Sequence, residues 1–248
     1  MSITSLTGDR WNTYHVYVGD QNQYMALTSF REDVMDPAKQ TDHVEHRRIV
    51  FTAKQTMPNL LPTQEEHETF GRYEDALVQQ LEQASVDAWF VGRLTYAAKR
   101  ELVFQVNDAD AFDTVAENYL ASIQDHEHEY IKESGWGYVH EKVTPQPEDW
   151  AQIMDRGVID NLVQAGTNAQ QPHMLDHGFK GAPDALNALK AELEKEGFSP
   201  TYESEGELTM SRAQQLHLDE INSVTVWLMQ RAHAHNVEYM GWGAAIVQ

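Results

Sequence analysis

The spacing of apolar residues in the first half of the chain predicts a mixture of strands and helices. Segments with alternating or β-branched and aromatic residues predict strands at 11–18, 24–30, 48–54, 87–94, 101–106 and 129–140. Apolar residues at helical spacing predict two helices, one opened by the capping box Thr63-Gln64-Glu65-Glu66 and the other by Asp108. From Arg48 onward the predicted order is therefore β-α-β-β-α-β.

The second half of the chain repeats that order after one additional helix. This helix begins at Pro147 and carries an apolar residue at every fourth position: Trp150, Met154, Val158 and Leu162. Strands are predicted at 173–179, 199–203, 207–210 and 237–247. Between them, one helix runs from Pro183 to Gly197 and another ends near His235.

The repeated order β-α-β-β-α-β is that of a split βαβ sandwich, in which two helices cover one face of an antiparallel sheet. The sequence therefore predicts an α+β protein with two tandem ferredoxin-like (split βαβ) antiparallel sandwiches, helices packed on one face of each sheet. A short echo supports the repeat, since Ser134-Gly135-Trp136-Gly137 and Met240-Gly241-Trp242-Gly243 each lie in the last predicted strand of their half. Pro145 and Pro147 interrupt both patterns, which predicts domains at residues 1–145 and 146–248.

The chain carries a large negative charge that is spread over both halves. Its formal net charge is −21, with 24 acidic and 12 basic residues before the proline pair and 15 and 6 after it. Such a surface repels the phosphates of nucleic acids and acidic membranes, and favours a partner protein with a basic surface. We therefore expect no direct binding of nucleic acid and no membrane association.

The amino-acid composition also narrows the chemistry and the compartment. The absence of cysteine excludes disulfides, thiolate metal ligands and cysteine nucleophiles. The first residues lack the basic start and the apolar stretch of a signal peptide, and no apolar run approaches the ~20 residues of a membrane helix. We expect a soluble, cytoplasmic protein.

Short segments in each half are similar to known bacterial families. Pro183-Asp184-Ala185-Leu186, Leu228-Met229-Gln230-Arg231-Ala232 and the ending Gly241-Trp242-Gly243 resemble the regulator of ribonuclease E activity B family. This resemblance covers the second half and implies an acidic cytoplasmic protein that binds ribonuclease E and restrains RNA cleavage. The first half, through Val91-Gly92-Arg93-Leu94-Thr95 and Arg100-Glu101-Leu102-Val103-Phe104, resembles the domain of unknown function 695 family, which implies no activity.

Two pairs of histidines are candidate metal ligands. His126 and His128, within a run of acidic residues, would share one face of a strand, and His173 and His177 would share a face of another. The alternative is a polar, solvated segment, because a zinc site needs three or four ligands. We predict no cofactor and no catalytic residue, because the sequence has no G-x-S-x-G elbow, no P-loop and no H-E-x-x-H motif.

Candidate partner-binding residues lie in the second half of the chain. Glu203, Glu205 and Glu207 surround a predicted turn and present three carboxylates to a basic partner. Trp242 is either an exposed anchor for a partner or a packed residue whose neighbouring glycines permit a bulge, and the second interpretation is favoured.

Together these features predict a non-catalytic, protein-binding regulator or adaptor. A specific form of this hypothesis is an inhibitor of ribonuclease E, or of another RNA-processing enzyme, that acts through its acidic surface. The alternative is an enzyme or metal-binding protein with a histidine and carboxylate site in the N-terminal or interdomain region. A third hypothesis is a structural module that self-associates through the edges of its sheets.

Overall fold

Two antiparallel sheets organise the chain, one in each of two units that divide between Gln146 and Pro147. The structure is a computed structural model and describes residues 6–8, 10–18, 24–36 and 40–245. Helices pack against both sheets, which confirms the predicted α+β class. None of the helices in these described ranges combines the length and the apolar character that crossing a membrane requires.

The first unit has a six-stranded sheet and two long helices. Its elements are β1 (Trp11–Val18), β2 (Tyr24–Arg31), β3 (Glu45–Thr52), α1 (Gln64–Gln83), β4 (Ala88–Tyr96), β5 (Lys99–Val106), α2 (Ala109–Ala121) and β6 (His128–Ser134). The strand order is β1-β2-β4-β5-β3-β6 with antiparallel pairing throughout. Strands β3 to β6 form the predicted sandwich, and β1 and β2 extend it at the β4 edge.

The local signals in the first unit cap both helices, but the predicted capping box of Thr63 is only half formed. The N–H of Thr63 donates to the carbonyl of Gln55, and the Glu66 carboxylate lies against His126. The Thr63 hydroxyl accepts the N–H of Glu66 at 3.4 Å and caps α1, and Asp108 caps α2 through the N–H of Ala111. The apolar faces of both helices then cover one face of the sheet. Large fully buried side chains from the helices and the strands meet there: Ile49, Phe51, Phe70, Leu77, Phe104 and Phe112.

The predicted strand 129–140 is wrong in its second part. Strand β6 ends at Ser134, because Gly135 adopts a φ of +83° and its N–H donates to the carbonyl of Val44. Residues Val139–Val143 then form a single π-helical turn. Trp136 is therefore not in a strand, and its ring lies against Trp89 with centroids 6.1 Å apart.

The segment after β6 covers the face of the first sheet that the helices leave open. Val139 and Val143 of the π-helical turn are fully buried, and the Tyr14 hydroxyl of β1 donates to the carbonyl of Val143 at 3.2 Å. Gly92 of β4 lies directly beneath this segment, where an added Cβ would come within 2.8 Å of the Val143 side chain. The first sheet is therefore covered on both faces.

The second unit has a four-stranded sheet and three helices. Its elements are α3 (Pro147–Gln164), β7 (His173–Lys180), α4 (Pro183–Lys195), β8 (Ser199–Glu203), β9 (Glu207–Gln214), α5 (Leu218–Ala234) and β10 (Glu238–Ala244). The strand order β10-β7-β9-β8 matches the order β6-β3-β5-β4 of the first unit, as expected for tandem sandwiches. The predicted last strand reached Val247, and its final residues Ile246 and Val247 lie outside the described residues.

Candidate functional site

A groove of about 410 Å³ opens between α3, α5 and β10 of the second unit. Helix α3 supplies one wall, because residues four positions apart lie on one face of a helix. Its apolar stripe is longer than the core beneath it. Val158 and Leu162 pack with Leu175 and Ile221, whereas Met154 is 64% exposed. The part of the stripe that the core leaves uncovered lines the groove.

The groove is mostly apolar and rich in methionine. Met154 of α3, Met229 of α5 and Met240 of β10 lie around it, together with Trp150 and Trp242. Methionine is flexible and polarizable, so a surface of this composition adapts to differently shaped apolar side chains. The arrangement therefore suits the binding of apolar groups.

Asp155 contributes a carboxylate to the lining of this groove, and it is only 2% exposed. Its Oδ1 accepts the Thr225 hydroxyl at 3.0 Å and the Trp242 indole N–H at 2.7 Å, and its Oδ2 accepts the Asn222 amide at 3.2 Å. Burial raises the pKa of the Asp155 carboxyl, and the three hydrogen bonds oppose that rise in part. All three donors are neutral, so the carboxylate has no positive charge among these partners.

A β-bulge determines how β10 faces the groove. The register between β10 and β7 shifts between Tyr239 and Gly241, where Gly241 has a φ of +97°. Because the bulge adds one residue, Tyr239 and Trp242 both turn toward the helices although they are three positions apart. The Tyr239 hydroxyl forms a hydrogen bond of 2.9 Å with Nδ1 of the buried His177.

Trp242 occupies a position between the core and the groove. Its ring packs against a buried cluster that includes Leu162 and Leu175, and its N–H is used by Asp155. It also lines the groove. The packed and the exposed interpretation of this residue thus describe two sides of the same indole.

The three predicted carboxylates lie elsewhere. Glu203, Glu205 and Glu207 are exposed on the β8–β9 hairpin, and the carboxylate of Glu203 accepts a hydrogen bond of 2.6 Å from the ammonium group of Lys190. Strands β8 and β10 are opposite edges of the sheet. The structure therefore brings the three glutamates together but separates them from Trp242.

His126 and His128 do not share a strand face, because β6 begins at His128 and His126 precedes it. Nε2 of His126 lies 2.9 Å from the Glu66 carboxylate, and its Nδ1 lies 3.0 Å from the Tyr73 hydroxyl. The Tyr73 hydroxyl also donates to Asp125 at 2.8 Å. These contacts tie the loop before β6 to helix α1.

His173 and His177 do share the helix-facing side of β7, and both are buried. Nε2 of His173 lies 2.8 Å from the carbonyl of Asn168, and burial lowers the pKa of His177 to about 4. Asp176 lies on the other face, where it accepts the Ser211 hydroxyl. Within the described ranges, no group of three or more His, Asp and Glu side chains is placed to hold a metal ion.

Sequence reasoning missed Asp155 and the methionines of the groove. The sequence showed Met154 only as one member of an apolar stripe on a helix. The available signal was that α3 precedes a sandwich that already has its two helices. A third helix on the same side leaves part of its apolar face without a sheet to cover it. Nothing in the sequence distinguishes Asp155 from the other acidic residues.

Comparison with known proteins assigns a family model to each unit. The model described as regulator of ribonuclease activity B matches residues 152–244, which include most of the groove. The model of a family of unknown function, DUF695, matches residues 9–137. Both resemblances expected from the sequence are confirmed.

Comparison with whole proteins adds little to these family matches. No curated protein matches the chain. A crystal structure of an unknown protein from Galdieria sulphuraria is 9% identical, with 82% of this chain and 99% of that chain covered and a TM-score of 0.20. A TM-score this low does not indicate a shared fold.

Proposed function

Because the chain belongs to the family of unknown function DUF695 and its second unit matches the regulators of ribonuclease activity B, we propose that it is a non-catalytic regulator of an RNA-processing enzyme. The observation that carries this proposal is the match over residues 152–244. The regulator works by binding a protein. We assign residues 1–145 to a DUF695-like domain and residues 146–248 to the regulator domain.

The proposed partner is ribonuclease E or another RNA-processing enzyme with a basic surface. An enzyme that binds RNA needs positive charge on its surface, and the net charge of −21 of this chain is complementary to it. Long-range attraction of this kind speeds association and weakens as salt rises. A cytoplasmic location follows from the proposed partner.

The proposal is tested by adding the full chain to purified ribonuclease E and measuring the cleavage rate of a labelled RNA. We expect a saturable decrease in rate that is strongest at low salt. A different protein of similar negative charge serves as the control, because charge alone would let it compete as well. An unchanged rate at low salt, or equal inhibition by the control protein, would refute the proposal.

The contribution of the β8–β9 hairpin is tested with the variant Glu203→Gln, Glu205→Gln, Glu207→Gln. The hairpin carboxylates are exposed, so the variant should fold normally. We expect the concentration for half-maximal inhibition to rise several-fold, because charge complementarity at the contact is lost. The matched control is Glu65→Gln, Glu68→Gln, Asp75→Asn, which removes three exposed carboxylates of α1 in the first unit. Equal effects of both variants would show that only the net charge matters.

A further inference from the structure

We propose that the groove of the second unit receives an amphipathic helix of the partner, and that a Lys or Arg on the apolar face of this helix pairs with Asp155. This inference rests on the proposed function and specifies the chemistry that the regulator recognises. The apolar side chains of the helix would contact the apolar wall of the groove, and its Lys or Arg would contact the buried carboxylate.

The apolar wall is the first observation. Met154 and Met240 are 64% and 57% exposed, and both lie on the same groove. Exposed methionines on one concave surface bind amphipathic helices in helix-in-groove recognition. A volume of about 410 Å³ accommodates a few side chains that project from a helix lying across the groove.

The carboxylate is the second observation. A buried carboxylate that is held only by neutral donors lacks the positive charge that usually compensates it. Asp155 accepts three hydrogen bonds, whereas a carboxylate has about four lone-pair positions. One position is therefore left for a donor that arrives with the partner. From Pro147 onward the chain has 15 acidic and 6 basic residues, which favours a cationic donor over a neutral one.

The edge strand argues for a helix as the occupant. Strand β10 is an edge of its sheet, and an added strand could in principle pair with it. The bulge between Tyr239 and Gly241 breaks the regular register of β10, and a broken ladder is a poor template for another strand. The partner therefore contributes side chains to the groove and leaves the strand edge unpaired.

The test uses the full chain and two labelled helical peptides of about 18 residues. Both carry leucines along one face. One peptide has a single Lys in the middle of that face, and its twin has Gln at the same position. Fluorescence anisotropy gives the dissociation constant of each peptide. We expect the Lys peptide to bind about tenfold more tightly than its Gln twin.

Two variants of the chain locate this preference. Asp155→Asn keeps an oxygen acceptor for Trp242 and Thr225 but removes the charge, and should abolish the difference between the peptides. Met240 is 57% exposed, so Met240→Lys should fold normally. This variant should weaken binding of the Lys peptide about tenfold, because it places a cation in the groove. Its matched control is Met174→Lys, because Met174 is 54% exposed on the opposite face of the sheet. That control should leave binding unchanged.

The inference is overturned if neither peptide binds, if both bind the native chain equally, or if the two methionine variants weaken binding alike. Thermal unfolding of Asp155→Asn shows whether a change in peptide affinity comes from loss of the fold. The peptide affinity of Met240→Lys is a second test, made in a chain that keeps Asp155. If Met240→Lys inhibits ribonuclease E as well as the native chain does, the groove inference fails and the proposed function stands. If the native chain binds the Lys peptide as expected without inhibiting ribonuclease E, the ribonuclease assignment fails and the groove inference stands.

Discussion

The two units share one strand order, yet they differ in the faces that they leave accessible. In the first unit, the π-helical segment and the strands β1 and β2 surround the sandwich, and Val50, Val91 and Val103 on its helix-free face are buried. In the second unit, Met174 and Tyr202 lie on the helix-free face and are each 54% exposed. The additions to a common sandwich, rather than the sandwich itself, decide which surface is available for binding.

The added elements also have opposite effects on packing. The segment around Trp136 closes a face of the first sheet. Helix α3 is instead added on the side that already carries helices, and its first turns extend beyond the sheet and create the groove. One addition therefore completes a core, and the other exposes apolar residues.

Replacing Trp136 with alanine should give the largest effect. The indole is 8% exposed and packs against Trp89, so Trp136→Ala should lower the free energy of unfolding by about 3–5 kcal/mol. Hydrogen exchange should locate the loss in the first unit. The matched control is Tyr202→Ala on the helix-free face of the second sheet, for which we expect less than about 1 kcal/mol. Comparable losses in the two variants would contradict the contrast between the two faces.

Acidification should affect both units through one buried histidine each. His46 lies on the helix-free face of the first sheet, where burial and Arg48 lower its pKa to about 4 against the opposing effect of Glu133. Burial also lowers the pKa of His177, on the helix side of the second sheet, to about 4. The unfolded chain binds these protons more readily than the folded chain does. The contribution of the two neutral histidines to the free energy of unfolding is therefore fully present above pH ~6.5 and is lost as the pH falls toward 4.

The expected loss is about 3 kcal/mol for each histidine between these pH values. Hydrogen exchange at pH 7 and at pH 4.5 should show that protection decreases in both sheets. His46→Gln and His177→Gln remove the titrating groups one at a time, and each should flatten the pH dependence of its own unit. An unchanged pH dependence in both variants would show that other groups control acid stability.

The smallest effect is expected at Met154. Because this side chain is 64% exposed, Met154→Ser should change the free energy of unfolding by less than about 0.5 kcal/mol, as measured by thermal or urea unfolding. The same variant should bind the Lys peptide more weakly than the native chain does. A loss of stability above about 1 kcal/mol would mean that Met154 belongs to the core. The groove would then be part of the packed interior and not a surface open to a partner.

Local signals made most of the fold predictable from the sequence. Strand alternation and the Thr63 capping box identified the elements because these signals depend on neighbours within a few residues. The end of β6 was missed, since the composition after Ser134 does not reveal that Gly135 turns the chain. Gly135 could have indicated a strand end, but a glycine within a strand pattern is equally consistent with a bulge.

The groove could not be predicted from local sequence signals. Asp155 meets Asn222, Thr225 and Trp242, which are 67, 70 and 87 positions away along the chain. Only the packing of α3 against α5 and β10 brings these partners together. The exposed β8–β9 hairpin with its glutamates was easier to predict, because charge and a turn pattern are local properties.

The bulge at Gly241 has a consequence for how this surface can change. A strand presents alternate residues to alternate sides, so a single inserted residue acts as a phase shift for everything that follows it. The indole of Trp242 is directed toward the helices by that shift. Loss of one residue here would reverse the phase and turn the indole to the opposite side, leaving Asp155 without its shortest hydrogen bond. Which residues of β10 face the helices thus depends on the number of residues in the strand as much as on their chemistry.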